Sequence, residues 1–334
     1  LEPTPGTCSA VDVELTGDDG SIAITDMATV DPGGSGAMLF VAKFSGDVSL
    51  FGTQVSAGSG TKGLLMEVAN GNLVDHVIID EVDSGSDLRL AITDPFLPET
   101  RAAVIVAGTY TEGPPSGDCG ATANQGVFAR RYELRNSPAP AYDTLWGPYC
   151  IDVPDGQVTV AAVCTGVSSS LVVGSFTGTM TDPSGTIASV NGNDDAFMLD
   201  FAPTTEMGPT DTVGPSGIFL IEGAGESVAR DCLPNHDHEW LIVGDFTGQV
   251  TFDPPDPTKS DGATAGEGAR DIFITTVDFH PATGDVDFRT FGGDDGGRRT
   301  ARKLVRDPLL PESVLVAGSL EVRMVFGNVG VDAF

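Results

Sequence analysis

The sequence predicts an all-β chain, a β-propeller of four-stranded antiparallel blades, on three observations. An apolar run carrying a small residue recurs five times at nearly even spacing. Each period holds four short apolar runs rather than one or two. The chain is also punctuated by 43 Gly, 22 Pro and 34 Asp, residues that break strands and favour turns. Four strands repeated in tandem describe propeller blades. A string of immunoglobulin-like sandwiches would need about seven strands per about 100 residues.

The most regular segment reads LFVAKF (39–44), VIVAGTY (104–110), LVVGSF (171–176), LIVGDF (241–246) and VLVAGSL (314–320). Its small-residue column is Ala42, Gly108, Gly174, Gly244 and Gly318. Three copies continue as a hydroxyl residue and a glycine, Ser45-Gly46, Thr177-Gly178 and Thr247-Gly248, a natural strand exit because Gly accepts positive φ. Before it runs a strand ending in Asp26, Asp94, Asp231 or Asp307, with Cys164 in that place in the third copy. After it come a third strand (63–69, 126–134, 195–201, 271–279) and a looser fourth (72–80, 142–147, 217–223, 285–293). The period of about 69 exceeds the usual blade of about 40–50 residues. The excess is expected in loops such as 112–125, 202–216 and 253–270.

The repeats fall at 21–80, 88–147, 157–223, 227–293 and 300–334, after a linker at 1–10. Residues 11–17 parallel a fourth strand, and Asp332-Ala333-Phe334 matches the opening of a third strand, Asp195-Ala196-Phe197. One expectation is a five-bladed ring in which 11–17 closes the last blade and removes exposed edges. The other is a part of a larger propeller.

The order GGDDGG (292–297), LVRD, VLVAGSL, VFG, VDAF resembles the secreted bacterial β-propeller repeats called SBBP repeats. The match is good in the fourth and fifth repeats, fair in the first and poor in the second. Residues 94–100 and 307–313 depart from it, carrying Pro-x-Leu-Pro-Glu instead of a small Gly-Asn turn. The resemblance implies a secreted or surface-exposed scaffold and no catalytic residues.

The net charge of −31 comes from 34 Asp and 14 Glu against 13 Arg and 4 Lys. Such a chain is repelled by nucleic-acid phosphates and anionic membranes, so neither is an expected partner. No run of about 18 apolar residues is present to form a membrane-spanning helix. The start lacks a basic stretch followed by an apolar one, so a secretion signal is expected to have been removed or left out. Hydrophobic residues at 40% suffice for a core.

Five cysteines occur without a close CxxC pair. In an up-and-down blade, loops alternate between two faces, which predicts the disulfides Cys119–Cys150 and Cys164–Cys232 and leaves Cys8 over. Disulfides point to an oxidising compartment: secreted, periplasmic or cell surface.

No catalytic site is expected: nucleophile elbow, P-loop and dinucleotide fingerprint are all missing. Metal candidates are the paired acids Asp18-Asp19, Asp194-Asp195 and Asp294-Asp295, with the looser Asp83 and Asp87. Ca²⁺ takes about 6–8 oxygen ligands from flexible loops, and turn-forming Asp is the simpler reading. His236 and His238, with Asp237 and Glu239 in an expected loop, are candidates for Zn²⁺ or Ni²⁺. No cofactor is expected, Ca²⁺ being the one alternative. Arg298, Arg299, Arg302, Lys303 and Arg306 form the one basic stretch, on the strand nearest the propeller axis. They are candidates for an anion site, or they neutralise nearby Asp by ion pairing. The expected role is a structural or adhesive scaffold for protein or glycan partners, self-assembled or within a larger surface complex. The alternatives are a glycan-acting hydrolase or lyase using channel carboxylates, and a Ca²⁺-dependent adhesin.

Overall fold

The computed structural model describes residues 20–30, 37–80, 82–92, 103–111, 125–134, 142–166, 169–182, 185–188, 192–201, 217–236, 239–253, 261–265, 268–278, 286–291, 297–306, 314–320, 323–326 and 329–332. Within them the chain is all-β. The first unit is β1 (Ser21–Thr29), β2 (Met38–Leu50), β3 (Thr53–Ala69) and β4 (Asn72–Ile79), antiparallel and hydrogen-bonded in that order. The second is β5 (Leu88–Ile92), β6 (Ala103–Tyr110), β7 (Gly126–Leu134) and β8 (Tyr142–Asp152). The third opens with β9 (Val158–Thr165) and β10 (Ser170–Phe176), inserts the hairpin β11 (Thr179–Asp182) and β12 (Gly185–Ala188), and ends with β13 (Asp195–Phe201) and β14 (Gly217–Gly223). The fourth repeats this plan with β15 (Ser227–His236), β16 (Glu239–Thr247), the hairpin β17 (Gln249–Asp253) and β18 (Asp261–Thr264), then β19 (Arg270–Asp278) and β20 (Val286–Phe291). The fifth shows β21 (Arg299–Arg306), β22 (Val314–Leu320) and the hairpin β23 (Arg323–Phe326) and β24 (Val329–Asp332).

The inserted hairpins correct the expectation that 253–270 is a loop. β11 pairs with β8 of the preceding unit, and β17 with β14 of its preceding unit. Two sheets thereby become six-stranded, whereas β23 touches β20 but its hairpin with β24 forms a separate two-stranded sheet. Met180, Val250 and Phe252 on these hairpins are fully buried. These hairpins therefore cover the fourth-strand edge of the previous unit, where bare N–H and C=O groups would face solvent.

The second strands explain their own continuous apolar sequence. Side chains alternate between faces along a strand. In β6, Ile105 and Ala107 pack toward the third unit, while Val104, Val106 and Tyr110 pack toward the first. In β10, Val172 and Phe176 face the second unit, while Leu171 and Val173 face the fourth. Both faces are buried, so no polar alternation survives. β22 differs: residues 315–319 are exposed, and its sheet has two strands among the described residues.

The glycine column has a steric cause. Gly108, Gly174 and Gly244 stand opposite Phe128, Phe197 and Phe273 on the third strands. A Cβ at Gly244 would lie 2.2 Å from the Val228 carbonyl oxygen and 2.3 Å from the Phe273 ring. Gly108, Gly174 and Gly318 meet the equivalent first-strand carbonyls at 2.2, 2.0 and 2.2 Å. The glycines at the strand exits have a different cause: Gly46, Gly178 and Gly248 adopt φ of 67°, 78° and 64°.

First strands of successive units lie side by side: β1 touches β5, β5 touches β9, β9 touches β15, and β15 touches β21. Each is the edge of its own sheet, and neighbouring first strands are cross-linked by side chains that meet the outward backbone groups. Asp26 accepts from the Leu90 amide at 3.1 Å, and Asp231 from the Leu304 amide at 2.7 Å. Thr165 donates to the Ile92 carbonyl, and Arg89 Nε to the Ala161 carbonyl at 2.9 Å. Between β9 and β15 the link is covalent, the disulfide Cys164–Cys232. The two described aspartates share one register, but the cysteine aligned with them by sequence does not. Asp26 and Asp231 oppose Val41 and Val243, the residues just before the column, whereas Cys164 opposes Leu171, three before Gly174. The hairpins between first and second strands differ in length, so distance along the chain misaligns them.

Residues 1–19 and 333–334 lie outside the described residues, and with them the linker, the closing strand 11–17 and most of the Asp-Ala-Phe end.

Candidate functional site

A cavity of about 560 Å³ opens between the first strands of four consecutive units. Its lining follows from strand register. Thr159, Val228 and Thr300 oppose Ser175, Asp245 and Ser319, the residue after each column glycine. With Asp87 they form one row of the wall. Arg89, Ala161, Arg230 and Arg302 form the other. Ala161, Arg230 and Arg302 are the residues passed over where the pairing slips by one, between Val160 and Ala162, Ala229 and Asp231, and Ala301 and Lys303. A bulge re-aims the extra side chain, and here three successive units repeat it at one height.

The three arginines differ in how far their charge is already matched. Arg230 pairs with buried Asp245 at 2.8 Å, and Asp245 also holds Arg270, which reaches Glu226. Burial would lower the Arg270 pKa, but the hydrogen bond and charge of Asp245, with Glu226, raise it. Arg89 donates to two backbone carbonyls, those of Ala161 and Leu88, and has no carboxylate partner among the described residues. Arg302 is exposed and makes no ion pair among the described residues. Asp87 is the one carboxylate of the lining among the described residues.

The basic stretch divides. Arg299 is fully buried and bonded to Asp271 at 3.1 Å, so it is closed to a ligand. Lys303 pairs with Asp231 at 3.1 Å, and Arg306 donates to the Pro234 carbonyl. Arg298 is exposed and outside the cavity lining. Only Arg302 of that stretch reaches the cavity. Arg89 and Arg230, absent from the sequence candidates, join it there. Their signal was present in the register, since each follows the residue opposite a column glycine, Gly108 or Gly244.

The metal candidates are distributed otherwise. Asp18, Asp19, Asp294, Asp295 and His238 lie outside the described residues. Asp194 and Asp195 sit at the start of β13, with Asp195 fully buried. His236 ends β15 and pairs in register with Glu239 at the start of β16, so both residues belong to strands rather than to the expected loop. Asp83 is occupied by the Thr111 amide and hydroxyl, the latter at 2.8 Å, and by the Gly85 amide. Among the described residues, no three His, Cys, Asp or Glu side chains converge as a metal site. Cys150 is disulfide-bonded, and its expected partner Cys119 lies outside the described residues. Among the described residues no helix is long and apolar enough to cross a membrane.

In comparisons with known proteins, no family matches the chain and no characterised protein matches its sequence.

Proposed function

We propose that the chain is a β-propeller of the secreted or cell-surface kind, with five blades whose first strands surround the axis, and that it serves as a non-enzymatic scaffold binding a protein or glycan partner. The tandem units, their side-by-side first strands and their two-faced cores support the architecture. The motif order that resembles SBBP repeats supports the same reading. The observation that carries the function is the cavity. It is shared by four units and, among the described residues, lined by three arginines, small and hydroxyl side chains, and a single carboxylate. Glycosidase chemistry uses two carboxyl groups about 5–10 Å apart. One acid among three cations favours binding over bond cleavage, because arginines match anionic groups and offer no proton relay near neutral pH.

The test is retention of neutral and acidic extracellular polysaccharides and matrix proteins on the immobilised chain, with ligand length measured before and after. Retention with unchanged length is the expected result. Shortening of any polysaccharide would overturn the scaffold reading.

A further inference from the structure

The geometry points to a specific ligand class for the cavity: we propose that it binds a small carboxylate bearing hydroxyl groups, of the uronate type found in acidic glycans. This rests on the scaffold reading above and deepens it.

Four observations converge. The chain carries −31 overall, yet three of its 13 arginines line this one cavity. Gathering three like charges in one cavity costs their mutual repulsion and needs a local compensation. Second, that compensation is not internal ion pairing at two of the three. Arg230 is matched by Asp245, but among the described residues Arg89 meets only carbonyls and Arg302 is exposed and unpaired. A guanidinium presents a planar fork of donors that fits a carboxylate bidentately. Third, the opposite row selects among anions. Asp87, whose amide donates to the Thr109 hydroxyl at 2.8 Å, lines the wall. A carboxylate there repels a multiply charged oxyanion and accepts hydrogen bonds from hydroxyl groups. The hydroxyls of Thr159 and Thr300 share that row, each held to a neighbouring serine, Ser175 at 3.1 Å and Ser319 at 2.6 Å. They offer further polar contacts at the level where a ligand's hydroxyls would lie. Fourth, the size fits. Cavities of about 300–1,000 Å³ hold small organic ligands, and about 560 Å³ admits a sugar acid. Val160, Val228 and Ala301 supply the apolar remainder of the wall.

In the bound state Arg302 and Arg89 hold the ligand carboxylate, Arg230 adds charge from its Asp245-anchored position, and Asp87 accepts from a ligand hydroxyl. No bond is made or broken.

The experiment is calorimetric titration of the full chain with galacturonate, galactose and sulfate at moderate ionic strength. Saturable binding of galacturonate, with galactose and sulfate at least tenfold weaker, is expected. Arg302→Gln is expected to weaken galacturonate at least tenfold, whereas Arg298→Gln, outside the lining, leaves it unchanged. Asp87→Asn is expected to narrow the gap between galacturonate and sulfate, with a melting temperature near that of the parent chain. No saturable galacturonate binding, equal binding of galactose, equal binding of sulfate, or indifference to Arg302→Gln would each overturn the proposal. If galacturonate fails while a neutral polysaccharide or a protein is still retained intact, this inference falls and the scaffold reading stands.

Discussion

Asp194 shows how one residue can cost stability in a molecule held by burial. It stands at the start of β13, and its backbone carbonyl accepts the Ser227 amide at 2.7 Å. Burial first, and the charge of Glu226 second, push its carboxyl pKa upward against the opposing pull of Arg270 and Arg230. A carboxyl whose folded pKa lies above its unfolded value favours folding only while protonated. That contribution is complete below the unfolded value of about 3.9, and it is lost as pH rises through the folded value. Near pH 7 the ionised Asp194 therefore works against folding. Asp194→Asn keeps the backbone bond and is expected to raise the melting temperature at neutral pH, with the gain vanishing toward about pH 3. Melts of both chains across this range check it, and a neutral-pH loss of stability would refute it. Burial first, and then the hydrogen bond and charge of Asp152, push the Tyr110 phenol pKa upward, the phenol donating to Asp152 at 2.7 Å.

At the scale of elements, the first strands hold the units together by several kinds of link. A carboxylate joins β1 to β5 and β15 to β21, hydroxyl and guanidinium donors join β5 to β9, and a disulfide joins β9 to β15. The third repeat lost the aspartate, and the covalent bond stands at the junction it would serve. Replacing Cys164 and Cys232 together by Ala is expected to cost about 2–4 kcal/mol, read from the urea midpoint under oxidising conditions. A loss below about 0.5 kcal/mol would mean that the apolar contact between Cys164, Cys232, Trp240 and Leu171 carries this junction alone. The four main strands of each of the first four units were legible from apolar runs and turn residues, because strand periodicity and Gly and Asp breaks are local signals. The hairpins β11–β12 and β17–β18 were not legible as strands. Their segments are short and polar in part, and each hairpin extends the sheet of the preceding unit rather than that of its own.

Across the whole molecule, charge sets the response to solution conditions. With −31 on 334 residues, like charges repel across the surface even where ion pairs such as Arg299–Asp271 are buried. Salt shortens the range of that repulsion from about 10 Å at 0.1 M to about 3 Å at 1 M. The melting temperature is therefore expected to rise with NaCl over that range. A falling curve would show that exposed pairs such as Lys62–Asp80 outweigh the repulsion. The cavity belongs to this scale as well. Arg89, Arg230 and Arg302 lie more than 70 residues apart in pairs along the chain and meet only when four units stand side by side.

The sequence by itself determined the all-β class, the four-strand period, the column of small residues and the pairing of Cys164 with Cys232. These follow from local periodicity, steric size and the face on which each loop emerges. Tertiary structure alone decided which unit each inserted hairpin covers, where the bulges fall, and which arginines line the cavity. Those outcomes depend on strand register, and register is set by contacts between segments far apart in sequence, through carbonyls and aromatic rings that crowd the column glycines. Chain order placed five basic residues in one stretch; the fold buries one, pairs others with acids or carbonyls, and turns Arg302 toward two arginines the linear pattern had left unremarked.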